Sequence, residues 1–349
     1  MSDSSAVEAQ ARIHHAYFLG LQLAVNAEYG AEITGEWIYR LFRQQHDQYF
    51  LASFNKLGLE HLPHAVACAR YHVLSNSIGG VPVEYAEESS TKAWVRFRYP
   101  RWMFAGPTIC GVPKESGRGF LNGWYARNGI SLNNPRLGFV CVSEDVTGEF
   151  GFCGYFKEFD RELSDEERLQ FAKDERPPPF NANEQPDLPQ GNWSEERLAK
   201  ANRNYAVAYV KNGITTLSAI VGSKAAQQLG GRSARLIGLQ YYAELAELIG
   251  ATDGDYIASA EFLEQMFRGM DDEVLRIPTL NESSVTVKQS TLRIVNGLSG
   301  QDREDLLSCW IELWRGTVDA HRRFKTLRVD IADDVIKWII ADQVTDQHD

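Results

Sequence analysis

Val81-Pro-Val-Glu-Tyr-Ala-Glu-Glu-Ser-Ser-Thr-Lys-Ala-Trp-Val-Arg-Phe-Arg-Tyr99 reads as two strands, Val81 to Tyr85 and Lys92 to Tyr99, joined by the polar turn Glu87-Glu88-Ser89-Ser90. In the second run Ala93, Val95 and Phe97 alternate with Trp94, Arg96 and Arg98. That is the period-two pattern of a strand with one wet or ligand-facing side. Helical stretches precede the hairpin: Glu36 to Asn55, with apolar Trp37, Ile38, Leu41 and Phe42, then a second from near Pro63 to Gly79-Gly80. A Trp-bearing helix around Trp124 and a strand from Leu137 to Val142 follow it.

The same order returns further along the chain. Leu217 to Gly250 reads as one or two helices and Ala260 to Arg268 as another. Strands Glu273 to Ile277 and Ser284 to Lys288 come next, then a helix with Trp310 and Trp314, then a strand from Lys325 to Val329. Glu88-Ser89-Ser90 at the first turn recurs as Glu282-Ser283-Ser284 at the second. The sequence therefore predicts an α+β fold of two similar halves, each a helical layer packed on a short antiparallel sheet. A degenerate tandem repeat accounts for this order, and two unrelated α+β domains sharing it are the alternative. Between the halves, Pro177, Pro178, Pro179, Pro186 and Pro189 cannot continue a helix or a central strand. The predicted division is residues 1–175, a Pro-rich connector 176–192, and residues 193–349, with Ser194 capping the next helix.

The 349 residues carry 36 Lys+Arg against 47 Asp+Glu, a formal charge of −11. That balance argues against a chain that coats nucleic acid, which needs clustered cations to displace counterions. The densest basic groups, Arg96, Arg98 and Arg101, and Arg322, Arg323 and Lys325, are short and interleaved with apolar residues. No apolar run approaches the ~18–20 residues that span a bilayer, and the N-terminal segment lacks a secretion-signal pattern. Five scattered cysteines without a Cys-x-x-Cys pair read as reduced thiols. The expectation is a cytoplasmic protein with neither membrane nor nucleic-acid partners.

Four constellations carry candidate chemistry. His61, His64, Cys68 and His72 share one helix face, but His64 and His72 are about 12 Å apart along the axis, too far for one metal. They read as packed polar groups or as a single functional histidine, His72, with neither metal nor cofactor expected. Lys92, Trp94, Arg96 and Arg98 form a cationic face beside an indole, continued by Trp102. Arginine forks bind carboxylates and tryptophan stacks on planar ligands. The competing reading is a solvated face pairing with Glu84, Glu87 or Glu88. Around Trp124, Asn128 reads as a helix C-cap or a ligand contact. Finally, Cys141 lies on a strand, and the run Tyr155 to Arg161 places Glu158 near Phe156, where a carboxylate pKa can rise. Tyr155 lies on the opposite side of that run. No Gly-x-Gly-x-x-Gly, Walker loop, His-Glu-x-x-His or Gly-x-Ser-x-Gly occurs.

Helices, then a hairpin ending in Arg98-Tyr99-Pro100, then a Trp-bearing helix and a strand: this order resembles the L-2-amino-thiazoline-4-carboxylate hydrolase-type family. That family is distantly similar to 4-vinyl-reductase-type ligand-binding modules. The resemblance covers roughly Glu36 to Asp160 and Gly213 to Asp330. It implies a small-molecule pocket, but the family's Arg-Cys-Pro thiol position is filled by Tyr99, so its chemistry does not carry over. The leading expectation is a metal-independent hydrolase or lyase acting on a small anionic compound, aromatic compounds included. Arg98 would anchor the anion, with Trp94, Trp102, Trp124, Asn128 and Tyr155 lining the pocket. His72 or Glu158 would move protons, with Cys141 a further candidate. The alternative is a non-catalytic binding or sensory module, and a third reading is a structural homodimer.

Overall fold

Gly30 takes φ +78°, a left-handed conformation that favours glycine, and it breaks the helical run Asp3–Lys56 (α1) in two. The computed structural model describes residues 3–147, 149–188, 193–251, 254–278, 284–321 and 325–342. The chain forms two compact units, Gln22–Ala201, and Met1–Leu21 together with Asn202–Asp349. The borders fall within helices, whereas the sequence places them at a connector. The first 21 residues therefore group with the C-terminal unit.

In the unit Gln22–Ala201, Pro63 precedes α2 (His64–Ile78), which stops at Gly79-Gly80. The strands β1 (Val83–Ser89) and β2 (Lys92–Phe97) pair antiparallel, Val83 opposite Phe97. Short 3-10 turns lead to α3 (Lys114–Phe120), which runs into a π-helical turn Leu121–Tyr125 and then α4 (Asn128–Ser131). The strands β3 (Leu137–Ser143), β4 (Cys153–Glu158) and β5 (Leu169–Phe171) complete a sheet of order β1-β2-β4-β3-β5, antiparallel except for β3–β5.

Ala93, Val95, Phe97, Phe139, Cys141 and Phe156 on one sheet face pack against α2 and against Phe50 and Phe54 of α1. Each fully buried phenylalanine contributes about 1.5–3 kcal/mol. The small Ala65, Ala67, Cys68 and Ala69 of α2 are all buried in this layer. The opposite face, expected to be wet or ligand-facing, is covered over its middle, while Arg96 and Arg98 at one end stay exposed. Trp94, Val140, Val142, Cys153 and Tyr155 are buried there, with Ala172 packed against them. Glu175, from the same segment, accepts from Tyr155 at 2.8 Å and from Lys92 at 3.3 Å. The connector also covers the β1 edge: the Tyr85 N–H donates to Gln185 Oε1 (2.8 Å) and Gln185 Nε2 donates to Tyr85 O (2.9 Å).

The second unit contains most of α5 (Glu195–Val221), then α6 (Ser223–Ile249), α7 (Tyr256–Gly269), β6 (Glu273–Pro278), β7 (Ser284–Ser290), α8 (Gly300–Asp319), β8 (Lys325–Ala332) and β9 (Val335–Asp342). Gly222 separates the two helices that the sequence left as one or two. Ser194 does cap α5, its Oγ accepting from the Arg197 N–H at 3.3 Å. The sheet order is β6-β7-β9-β8, all antiparallel, over a ring cluster of Phe267, Trp310, Trp314 and Trp338. That order matches β1-β2-β4-β3 of the first unit, strand for strand. The fold is thus α+β, with two separate antiparallel-rich sheets. β4 and β9 are central strands, whereas the sequence reading closed each half with β3 or β8. Glu282-Ser283, the Arg322-Arg323 pair and connector residues 189–192 lie outside the described residues. Among the described residues no helix is long and apolar enough to cross a membrane.

Candidate functional site

Glu32, Glu36, Tyr39 and Arg43 recur on α1 at steps of four, three and four, so they form one stripe. Beside it run α3 and its π-helical extension. Two glycines let the backbones touch: a Cβ on Gly119 would stand 2.3 Å from Gly35 O, and one on Gly123 would stand 2.6 Å from Tyr39 O. No side chain fits at either crossing. Along this seam a groove of about 680 Å³ opens, closed on its third side by Asp165, Glu166 and Arg168.

Both signs of charge line the groove, with Asp165 and Glu166 beside Arg168. Glu32, Glu36 and Glu115 lie at one end, where Arg40 pairs with Glu36 at 2.6 Å. Arg43, Arg127 and Arg168 lie at the other. Asp47 divides itself between Arg43 (3.5 Å) and Arg127 (3.3 Å), and Asp165 stands 3.5 Å from Arg168. Three guanidinium groups thus share this end with the carboxylates of Asp47, Asp165 and Glu166. Arg118, between the ends, is engaged bidentately by Glu144 at 2.8 and 3.0 Å.

None of the side chains singled out from sequence lines this groove. His72 is buried on α2, its ring stacked on Tyr125 at 3.8 Å and on Phe156 at 5.3 Å. Asn128, fully buried, is no C-cap: it starts α4. Its Nδ2 donates to His72 Nε2 (3.0 Å), and its Oδ1 accepts from His46 Nε2 (3.1 Å). Trp124 sits edge-on to His46 at 5.4 Å. Burial lowers His46 to about 4 and holds His72 well below the usual imidazole range. Both rings are therefore neutral at physiological pH. The sequence reading overlooked His46, although it lies one turn beyond Phe42 on the recognised helix.

The other candidates lie elsewhere. Trp94 and Tyr155 pack together at 4.6 Å on the sheet face opposite His72. The Trp94 Nε1 donates to Glu88 at 2.8 Å. Trp102 lies against Phe42 at 6.3 Å. Cys141 is buried, donates to Ser143 O at 3.3 Å, and burial pushes its thiol up to about 12, so it is no ready nucleophile. Glu158 ends β4, half-buried, opposite Leu137. The expectation for Arg98 needs correction: its side chain is 59% exposed, 3.7 Å from Glu84. Arg98 takes the outward side of β2 past the last paired residue, where no wall covers it. His64 pairs with Asn134 (3.1 Å), and among the described residues no three His, Cys, Asp or Glu side chains are grouped to hold a metal.

The arginine that does turn inward is Arg101. Its side chain is 3% exposed, and it meets the fully buried Asp145 carboxylate through Nε (2.8 Å) and Nη2 (2.7 Å). Its guanidinium lies over Phe152 at 4.4 Å and Phe120 at 5.0 Å. Compared with protein-family models, with curated proteins and with solved structures, the chain matches none.

Proposed function

We propose that the Gln22–Ala201 unit is a small-molecule-binding module that recognises an anionic group at the Arg43–Arg127–Arg168 end of the groove. The observation that carries this reading is the convergence of three guanidinium groups, Arg43, Arg127 and Arg168, on one end of an open groove, two of them sharing the single Asp47 carboxylate at 3.5 and 3.3 Å. Guanidinium forks suit carboxylate and phosphate geometry. The hydrolase or lyase reading has less support, because His72, Cys141 and Arg98 are held apart: one in an aromatic stack, one in the sheet core, one in solvent. The common strand order of the two units supports a tandem arrangement of one element pattern, and with it the hydrolase-type or 4-vinyl-reductase-type resemblance as a relation of fold.

Titration calorimetry with octanoate, glutarate and inorganic phosphate tests the binding reading. At least one should bind, with affinity falling as salt rises. Arg43→Gln and Arg127→Gln should each weaken it severalfold while leaving the urea midpoint in place, since both side chains are partly exposed. Absence of binding at millimolar concentration of all three probes would overturn the reading.

A further inference from the structure

We propose that the outer edge of β8 is a docking surface for a second copy of this chain, whose own β8 pairs with it antiparallel about a two-fold axis at Val329. The two sheets differ at one place. Four strands share one order in both, but β5 takes the outer edge of β3, whereas β8, the counterpart of β3, has no strand on its outer side among the described residues. A bare edge presents a row of unpaired backbone N–H and C=O groups.

Proteins commonly blunt such an edge with a proline, a bulge, an inward-pointing charge or shortness. β6, at the other edge of the same sheet, has six residues and ends in Pro278. β8 runs eight residues without a proline or a register shift, from Lys325 opposite Asp342 to Ala332 opposite Val335. Its one inward charge, Lys325, stands at the very start and pairs with Asp342 at 3.0 Å. Beyond it, Leu327, Val329 and Ile331 stand on the core side, opposite the buried Ile340, Trp338 and Ile336 of β9, and Ile331 is still 47% exposed. Arg315 of α8 donates to Leu327 O at 3.1 Å, and that carbonyl keeps a second lone pair for a strand partner.

Charge selects the occupant. Arg328 and Asp330 lie on the outer face of β8, 3.2 Å apart, with side chains 72% and 48% exposed. Pairing about Val329 sets Arg328 opposite the partner's Asp330, and Asp330 opposite the partner's Arg328. On the core side Leu327 meets the partner's Ile331, and Val329 meets its own copy on the axis. Cross-strand pairs of these kinds stabilise a sheet. A slip of two residues sets arginine on arginine or aspartate on aspartate, and a slip of one turns the core side of one strand outward. The strand is therefore self-complementary in one register, as a two-fold interface requires. An edge of this length buries less than the ~1,600 Å² of a standard interface, so the dimer belongs in the micromolar range.

Sedimentation velocity on the full chain from about 1 to 100 µM tests this, and the parent should pass from monomer to dimer across that range. Arg328→Asp and Asp330→Arg each set like charges opposite one another twice, and each should weaken the dimer about tenfold or more. Mixing the two variants should restore it, because one strand is then acidic at both positions and the other basic. The double variant Arg328→Asp with Asp330→Arg should dimerise as the parent does. Misfolding cannot be rescued in this way. A parent that stays monomeric at about 100 µM overturns the proposal. So does a dimer that neither single variant weakens, or one that the mixture fails to re-form.

Discussion

Asn128→Ala removes a fully buried side chain that bonds two histidines at once. The His46 Nε2 donor and the His72 Nε2 acceptor each lose a partner, and His46 Nδ1 already has no hydrogen-bond partner. An orphaned buried polar group costs about 1–3 kcal/mol. Two give about 2–6 kcal/mol, and a water entering the vacated space recovers part of that. A net loss of about 2–4 kcal/mol is expected. With a urea m-value of about 2 kcal/mol/M for a unit of this size, the midpoint falls by about 1–2 M. Tryptophan fluorescence is a local reporter, because Trp124 stands 5.4 Å from the His46 ring. Asn128→Asp gives a second readout that stability alone does not. A carboxylate accepts from His46 but cannot donate to His72, so His72 must carry a proton on Nε2, visible in its ring nitrogen shifts. A midpoint within about 0.2 M of the parent, together with unchanged ring shifts in the aspartate variant, would refute the bridging role.

Two further outcomes follow from buried charge. Asp145→Ala strands the Arg101 guanidinium in its aromatic setting and should cost about 3–5 kcal/mol in urea unfolding, whereas Arg101→Met with Asp145→Leu should recover most of it; a single variant as stable as the parent contradicts this. Acid should destabilise both units separately. Burial lowers His14, His15 and His46 to about 4, below the value of about 6.5 in an unfolded chain. The unfolded state therefore binds more protons in that window, so stability is complete above pH 6.5 and falls as pH drops towards 4. His46 alone accounts for about 3 kcal/mol of that loss, and urea midpoints measured from pH 7 down to pH 4.5 that stay flat would contradict it.

The parts of the fold legible in the sequence are those written locally. Pro63 and Gly79-Gly80 bracket α2, and Glu87 to Ser90 bring β1 back on β2, because these residues act through their own backbone preferences. The alternation in β2 was equally plain, yet the cover over part of its second side was not. Trp94 is buried by a segment some eighty residues further on, around Ala172 and Glu175. Covering one sheet face is a tertiary event that period-two spacing does not encode. The unit border near Leu21 was invisible for the opposite reason: α1 runs through it without a local break, and Gly30 lies some residues beyond. The groove had partial signals. Gly119-x-x-x-Gly123 is the spacing of a close helix crossing, and Glu32, Glu36, Tyr39 and Arg43 form a charged stripe. A stripe of that kind reads as a solvated face until the neighbouring helix and Arg168 are placed beside it.

Arg98 and Arg101 show how the same residue type is sorted. Alternation singles out Arg98, but an alternating position only promises one side of a sheet, and past Phe97 that side is open water. Arg101 follows Pro100 and turns into a 3-10 segment, which points it under the sheet instead. It stays there because Asp145, two residues past the end of β3, accepts both from its guanidinium and from its backbone N–H at 3.1 Å. The pair has a consequence for the groove. A Cβ on Gly117 of α3 would stand 3.1 Å from Arg101 Nη2, so the guanidinium is packed directly beneath the helix that carries Glu115, Arg118 and Gly119. Arg101 touches no ligand in this arrangement, yet it sets the height of the wall. Disturbing it should therefore shift carboxylate affinity and stability together, whereas Arg127→Gln should shift affinity alone, which separates a supporting residue from one that contacts the ligand.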